Sequence, residues 1–68
     1  MNQEHPKFHF NLGQNVDVCD SKDKWVNGEI KYIKGNEAFI HYTGWSYRYD
    51  EYLDLLSDRI LPQWEPGK

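Results

Sequence analysis

Trp25-Val26-Asn27-Gly28-Glu29-Ile30-Lys31-Tyr32-Ile33-Lys34, then Gly35-Asn36, then Glu37-Ala38-Phe39-Ile40-His41-Tyr42 is the stretch that decides the fold. Its first run alternates. Val26, Gly28, Ile30 and Tyr32 share one face, while Asn27, Glu29 and Lys31 share the other, which is the period of a half-buried strand. Lys34-Gly35-Asn36-Glu37 is a hairpin turn signal, since glycine and asparagine reach the left-handed backbone region that tight turns need. Beyond it Ala38, Ile40 and Tyr42 face one way, so Ala38 to Tyr42 returns as a second strand. A glycine at inward position 28 points to close approach of another backbone, or to a bend in a tightly curved sheet.

Upstream of the hairpin, Asn15 to Asp20 alternates with Val16 and Val18 on one face, and Ser21-Lys22-Asp23-Lys24 is a polar turn. Downstream, Asp50 to Asp54 extends as a fourth strand, although Tyr52, Leu56 and Ile60 also fit a helical stripe. One helical turn is expected near Leu55 to Asp58. Arg59-Ile60-Leu61 then forms a short last strand ended by Pro62. Residues 1–12 read as an N-terminal lead, in which Phe8 and Phe10 flank His9 and close the bottom of a core. Residues 13–62 form the domain, and 63–68, with Trp64 and Pro66-Gly67-Lys68, form a tail. The expected class is all-β: a small five-stranded barrel with one short helical turn before the last strand, closed so that sheet edges are hidden.

With 68 residues, the chain forms one domain near the lower limit for a free-standing core. Aromatic residues are 16% of it, so rings must supply much of the burial, at roughly 150–250 Å² each. A shallow surface site suits this size better than a deep catalytic cleft. Eight Lys and Arg stand against 11 Asp and Glu, a net charge of -3. That balance argues against phosphate as the default partner and favours a basic one. Cys19 is the only cysteine, which excludes an internal disulfide and favours a reducing intracellular compartment. No apolar run approaches the roughly 20 residues that span a bilayer, and Met1 to Pro6 lacks the apolar segment of a signal peptide. No membrane partner is expected. His5 and His9 lack a cysteine pair at zinc-finger spacing, so neither a metal nor a cofactor is expected. His41 is read as a structural histidine, and no residue set suggests an enzyme.

The functional signal lies in Ile40-His41-Tyr42-Thr43-Gly44-Trp45-Ser46-Tyr47-Arg48-Tyr49-Asp50-Glu51-Tyr52. Rings crowd around one Thr-Gly turn, with two carboxylates directly after them. Ring faces carry negative quadrupole charge and attract poorly hydrated cations, such as methylated ammonium. Tyr42 ends a strand and Thr43-Gly44 turns the chain, so Trp45 and Tyr49 can fold back over the strand end.

Together with Asp20, Trp25-Val26-Asn27-Gly28-Glu29-Ile30 and Arg59-Ile60-Leu61-Pro62, this pattern resembles the Tudor and chromo barrel (Tudor-knot) families of the Royal superfamily. The chromo barrel form occurs in MYST-type histone acetyltransferases and their partner scaffolds; the Tudor domains of plant-homeodomain-finger reader proteins are equally close. The resemblance runs from about Gly13 to Pro62. It implies an SH3-like β-barrel, a nuclear location within a larger chromatin-modifying protein or complex, and recognition of a methylated lysine on a histone tail or other protein. The methyl-lysine cage then maps onto Tyr42, Trp45 and Tyr49, with Asp50, Tyr47, Val26 and Ser21 in support. Ser21 and Val26 stand where the families commonly have another aromatic, so the implied cage has three walls.

Two other readings stand beside it. Lys22, Lys24, Lys31, Lys34 and Arg48 can form a patch for RNA or DNA, which Tudor-knot relatives sometimes bind, with Trp45 and Tyr47 stacking on bases. Alternatively, the barrel is a protein-interaction module whose degenerate cage reads no methylation.

Overall fold

The hairpin at Trp25–Tyr42 organises the whole sheet in the computed structural model, which describes residues 6–63. The elements are β1 (Asn15–Cys19), β2 (Trp25–Lys34), β3 (Glu37–Tyr42), a single 3-10 turn η1 (Tyr47–Tyr49), β4 (Glu51–Asp54) and β5 (Ile60–Pro62). All pairings are antiparallel, in the order β4-β3-β2-β1-β5. Residues 1–5 and 64–68, which include His5 and Trp64, lie outside the described residues.

Ten-residue β2 is the spine. It pairs with β1 from Asn15↔Glu29 to Cys19↔Trp25, and with β3 from Gly28↔Tyr42 to Lys34↔Glu37. Gly28 therefore has partners on both sides, Val16 and Tyr42. A Cβ there would lie 2.7 Å from Ile40 Cγ2 and 3.3 Å from the His41 carbonyl oxygen. The missing side chain lets β3 curl across β2, as the inward glycine suggested. The five strands form a curled half-barrel, with β4 and β5 as its two free edges among the described residues.

Val16, Val18, Ile30, Ala38 and Ile40 are fully buried on the concave face, joined by Phe10, Tyr42, Leu53, Leu55 and Ile60. Each large aliphatic side chain contributes roughly 1.5–3 kcal/mol by leaving water. Phe10 sits in the segment read as a lead yet belongs to the core, whereas Phe8 remains exposed.

Closure was expected, yet among the described residues β4 and β5 do not pair with each other and the sheet keeps two edges. Two more expectations change. Strict alternation placed Tyr32 with Ile30, but the register slips between them: Ile30 faces Ile40 and Tyr32 faces Phe39. The extra residue, Lys31, reverses inside and outside over the rest of β2, because side-chain direction has a period of two. Tyr32 is thus 63% exposed, on an outer row with Phe39 and Tyr52, at ring-centroid separations of 6.0 and 4.9 Å.

The second change concerns the helical turn, which lies at Tyr47–Tyr49 and not near Leu55 to Asp58. Leu55 donates its N–H to the distant Asn36 carbonyl at 2.7 Å, and the Asp54 carboxylate takes the Leu56 N–H at 2.9 Å. Those bonds make a turn and leave no helical ladder.

Gly28→Ala is expected to lower stability by about 1–3 kcal/mol through overpacking against Ile40. Urea unfolding midpoints of the two proteins measure this. An unchanged midpoint would show that the β2–β3 contact yields without cost.

Candidate ligand-binding site

Tyr42 closes β3, and the next three residues reverse the chain. The Trp45 N–H bonds to the Tyr42 carbonyl at 3.0 Å, with Gly44 at φ 82 in the third turn position, where a positive φ is required. Asn27 on β2 pins the turn. Its backbone carbonyl accepts the Thr43 N–H at 2.9 Å, and its side-chain oxygen accepts the Thr43 hydroxyl at 2.6 Å.

Ser46 then starts η1, its hydroxyl accepting the Arg48 N–H at 3.2 Å. At the far end, the Asp50 carboxylate meets His41 Nδ1 at 2.7 Å and ties the turn back to β3. His41 is thus a structural histidine, half-buried against Asp50.

This path brings Tyr42, Trp45 and Tyr49 together. Ring centroids are 5.5 Å apart for Tyr42 and Trp45, inclined at 47°, and 5.4 Å apart for Trp45 and Tyr49, nearly perpendicular at 88°. Tyr42 is buried, while Trp45 and Tyr49 remain 42% and 59% exposed. The rings line a pocket of about 640 Å³ together with Ser21 and Val26. Glu51, Asp20, Lys22 and Arg59 complete the lining.

The Tyr42 hydroxyl donates to Glu51 Oε2. Burial first, and then this hydrogen bond, push the phenol well above its ordinary value, so it stays neutral through the physiological range.

Of the residues singled out in the sequence, Tyr42, Trp45, Tyr49, Ser21 and Val26 line this pocket; Asp50 and Tyr47 do not. The carboxylate in the pocket is Glu51, and strand parity explains it. Glu51 pairs with inward Ile40, so the preceding Asp50 turns outward to His41. Tyr47 is 74% exposed. Lys31, Lys34 and Arg48 also lie outside the pocket: Lys31 pairs with Glu29 at 3.2 Å, Lys34 ends β2 and Arg48 sits in η1.

Asp20 and Arg59 are lining residues that the sequence reading did not select for a site, and Lys22, read there as part of a nucleic-acid patch, lines it too. Asp20 had a local signal in the polar turn directly after it. Its carboxylate accepts the backbone N–H groups of Lys22 at 2.8 Å and Lys24 at 3.0 Å. Those bonds, led by the one from Lys24, hold its pKa below the ordinary carboxylate value. Arg59 comes to the pocket only through the pairing of β1 with β5.

Among the described residues, no group of three His, Cys, Asp or Glu side chains is placed to hold a metal ion. No helix among them is long and apolar enough to cross a membrane.

No family model matches the chain. It is similar to PHD finger protein 20-like protein 1 of Gallus gallus, at 32% identity over 64 residues, covering 91% of this chain and 8% of that protein. The proteins of the same name from Mus musculus and Rattus norvegicus match at 32% over 64 residues as well, with 6% of their length covered. The chain therefore spans less than a tenth of the curated relatives it matches.

Because Asp20 has a lowered folded-state pKa, its contribution to stability is present above the ordinary carboxylate range and lost as pH falls through the folded value. Asp20→Ala is expected to show a lower urea midpoint at neutral pH and a shallower further loss on acidification. Identical pH profiles for the two proteins would remove Asp20 from the account of acid stability.

Proposed function

We propose that this domain is a reader module that docks a methylated lysine of a histone tail, or of another basic protein, against Tyr42, Trp45 and Tyr49. The observation that carries the reading is the hollow formed by these rings with Glu51 beside it. A bare lysine ammonium keeps strong hydrogen bonds to water. Methyl groups spread its charge and weaken hydration, so the methylated form loses less on entering a ring-lined pocket, and each ring face contributes roughly 0.5–2 kcal/mol. Glu51 supplies an acceptor for the N–H that a mono- or dimethylated ammonium retains. Ser21 and Val26 add no fourth ring, so affinity rests on three walls.

Similarity to one segment of PHD finger proteins supports a chromatin-associated role in the nucleus, as part of a larger protein or complex. The net charge of -3 suits a basic partner. The proposed activity is binding without catalysis.

The test is a proton–nitrogen spectrum titrated with histone-tail peptides carrying unmodified, mono-, di- and trimethylated lysine. Shifts are expected at Tyr42, Trp45, Tyr49 and Glu51, with the methylated peptides bound more tightly. Trp45→Ala should weaken binding by roughly 0.5–2 kcal/mol or more while the domain stays folded, because that ring is 42% exposed. Equal affinity for methylated and unmodified peptides sinks the reading. Saturable binding of an oligonucleotide that depends on Lys31, Lys34 or Arg48 would put nucleic acid in its place.

A further inference from the structure

A pocket that takes only a cation has no use for positive charge in its wall, yet two basic side chains, Arg59 and Lys22, line this one. They stand with two carboxylates, Asp20 and Glu51, so the lining charges cancel. Both carboxylates already hold protein hydrogen atoms. Asp20 accepts two backbone N–H groups and Glu51 accepts the Tyr42 hydroxyl.

Arg59, by contrast, is fixed with much of its donor capacity unspent. Its Nε–H donates to the Cys19 carbonyl at 2.8 Å, and its own carbonyl accepts the Cys19 N–H at 2.8 Å. Among the described residues neither Arg59 nor Lys22 has a carboxylate within ion-pair distance. A guanidinium held by Nε still presents its two terminal nitrogens, a planar fork that matches carboxylate or phosphate oxygens.

A bound ammonium gains from Asp20 and Glu51 and leaves Arg59 and Lys22 unused, so a ligand that also brings negative charge gains a further contact. We propose that Arg59, assisted by Lys22, forms an oxyanion subsite in the same pocket as the aromatic rings. The preferred ligand is then a methylated lysine with a carboxylate or phosphate on a neighbouring residue. This inference deepens the methyl-lysine reading and rests on it for the position of the cation. The anion contact is a separate interaction with its own readout.

The experiment uses short peptides of one sequence, measured by fluorescence anisotropy at low and moderate salt. Dimethyllysine is flanked by serine, glutamate or phosphoserine, and a further peptide pairs phosphoserine with unmodified lysine. The anionic peptides are expected to bind roughly tenfold more tightly than the serine peptide, the scale of a charge-assisted hydrogen-bonded pair. Added salt should shrink that difference. In Arg59→Gln the ratio of anionic to neutral affinity should fall to about one, and in Lys22→Gln only part of it should be lost. The nitrogen spectrum reports whether each variant is folded, and Lys22→Gln, in an exposed loop, serves should Arg59→Gln unfold.

A gain with phosphoserine alone assigns the subsite to phosphate; a gain with both assigns it to oxyanions generally. Equal affinity across all flanks, or a gain that survives both substitutions, overturns the proposal. If phosphoserine aids binding through Arg59 while dimethylation gives no advantage, the methyl-lysine reading fails and the oxyanion subsite stands. The reverse pattern leaves the cage and removes the subsite.

Discussion

Everything in this fold depends on how closely two backbones approach at Gly28. There β2 carries β1 on one side and β3 on the other, and the space a side chain would fill is taken by Ile40 and the His41 carbonyl. The sheet can therefore bend sharply at its middle strand. That bend lets valines and isoleucines from all three strands share one small interior. It also brings the end of β3 near the turn after β1, so that Tyr42, Ser21 and Val26 line one pocket. Core and pocket have one geometric origin.

The turn that carries the rings is tied down at three points. Asn27 clamps the Thr43 turn, Ser46 starts η1, and Asp50 fastens its end to His41. None of these bonds uses a ring of Tyr42, Trp45 or Tyr49. Tyr42 is buried and hydrogen-bonded to Glu51, whereas Trp45 and Tyr49 stand partly in solvent. A buried ring beside two more exposed ones lines a pocket without a deep cavity. Charge is arranged with the same economy, since each acidic group in the lining also holds protein hydrogen atoms.

Much of this was legible in the chain. Alternation gave the strands, Gly35-Asn36 the hairpin, and the crowding around Thr43-Gly44 the ring cluster. What escaped the sequence depends on through-space pairing. The bulge at Lys31 leaves no local mark, so Tyr32 reads as inward until its register with Phe39 is known. The choice between Asp50 and Glu51 turns on which residue of β4 faces Ile40, and adjacency in the chain cannot decide it. Arg59 stands 40 positions from Cys19, and only the β1–β5 ladder makes them neighbours.

A sheet that stops short of closure invites a stranger's strand to add itself at either margin. This one is guarded at both. The margin at β4 begins and ends with an acid, Glu51 and Asp54, and the margin at β5 ends with Pro62, which has no N–H to offer. Such borders disfavour stacking of one copy on another. A scaffold this slight can thus leave its rings in water without a bare strand edge beside them.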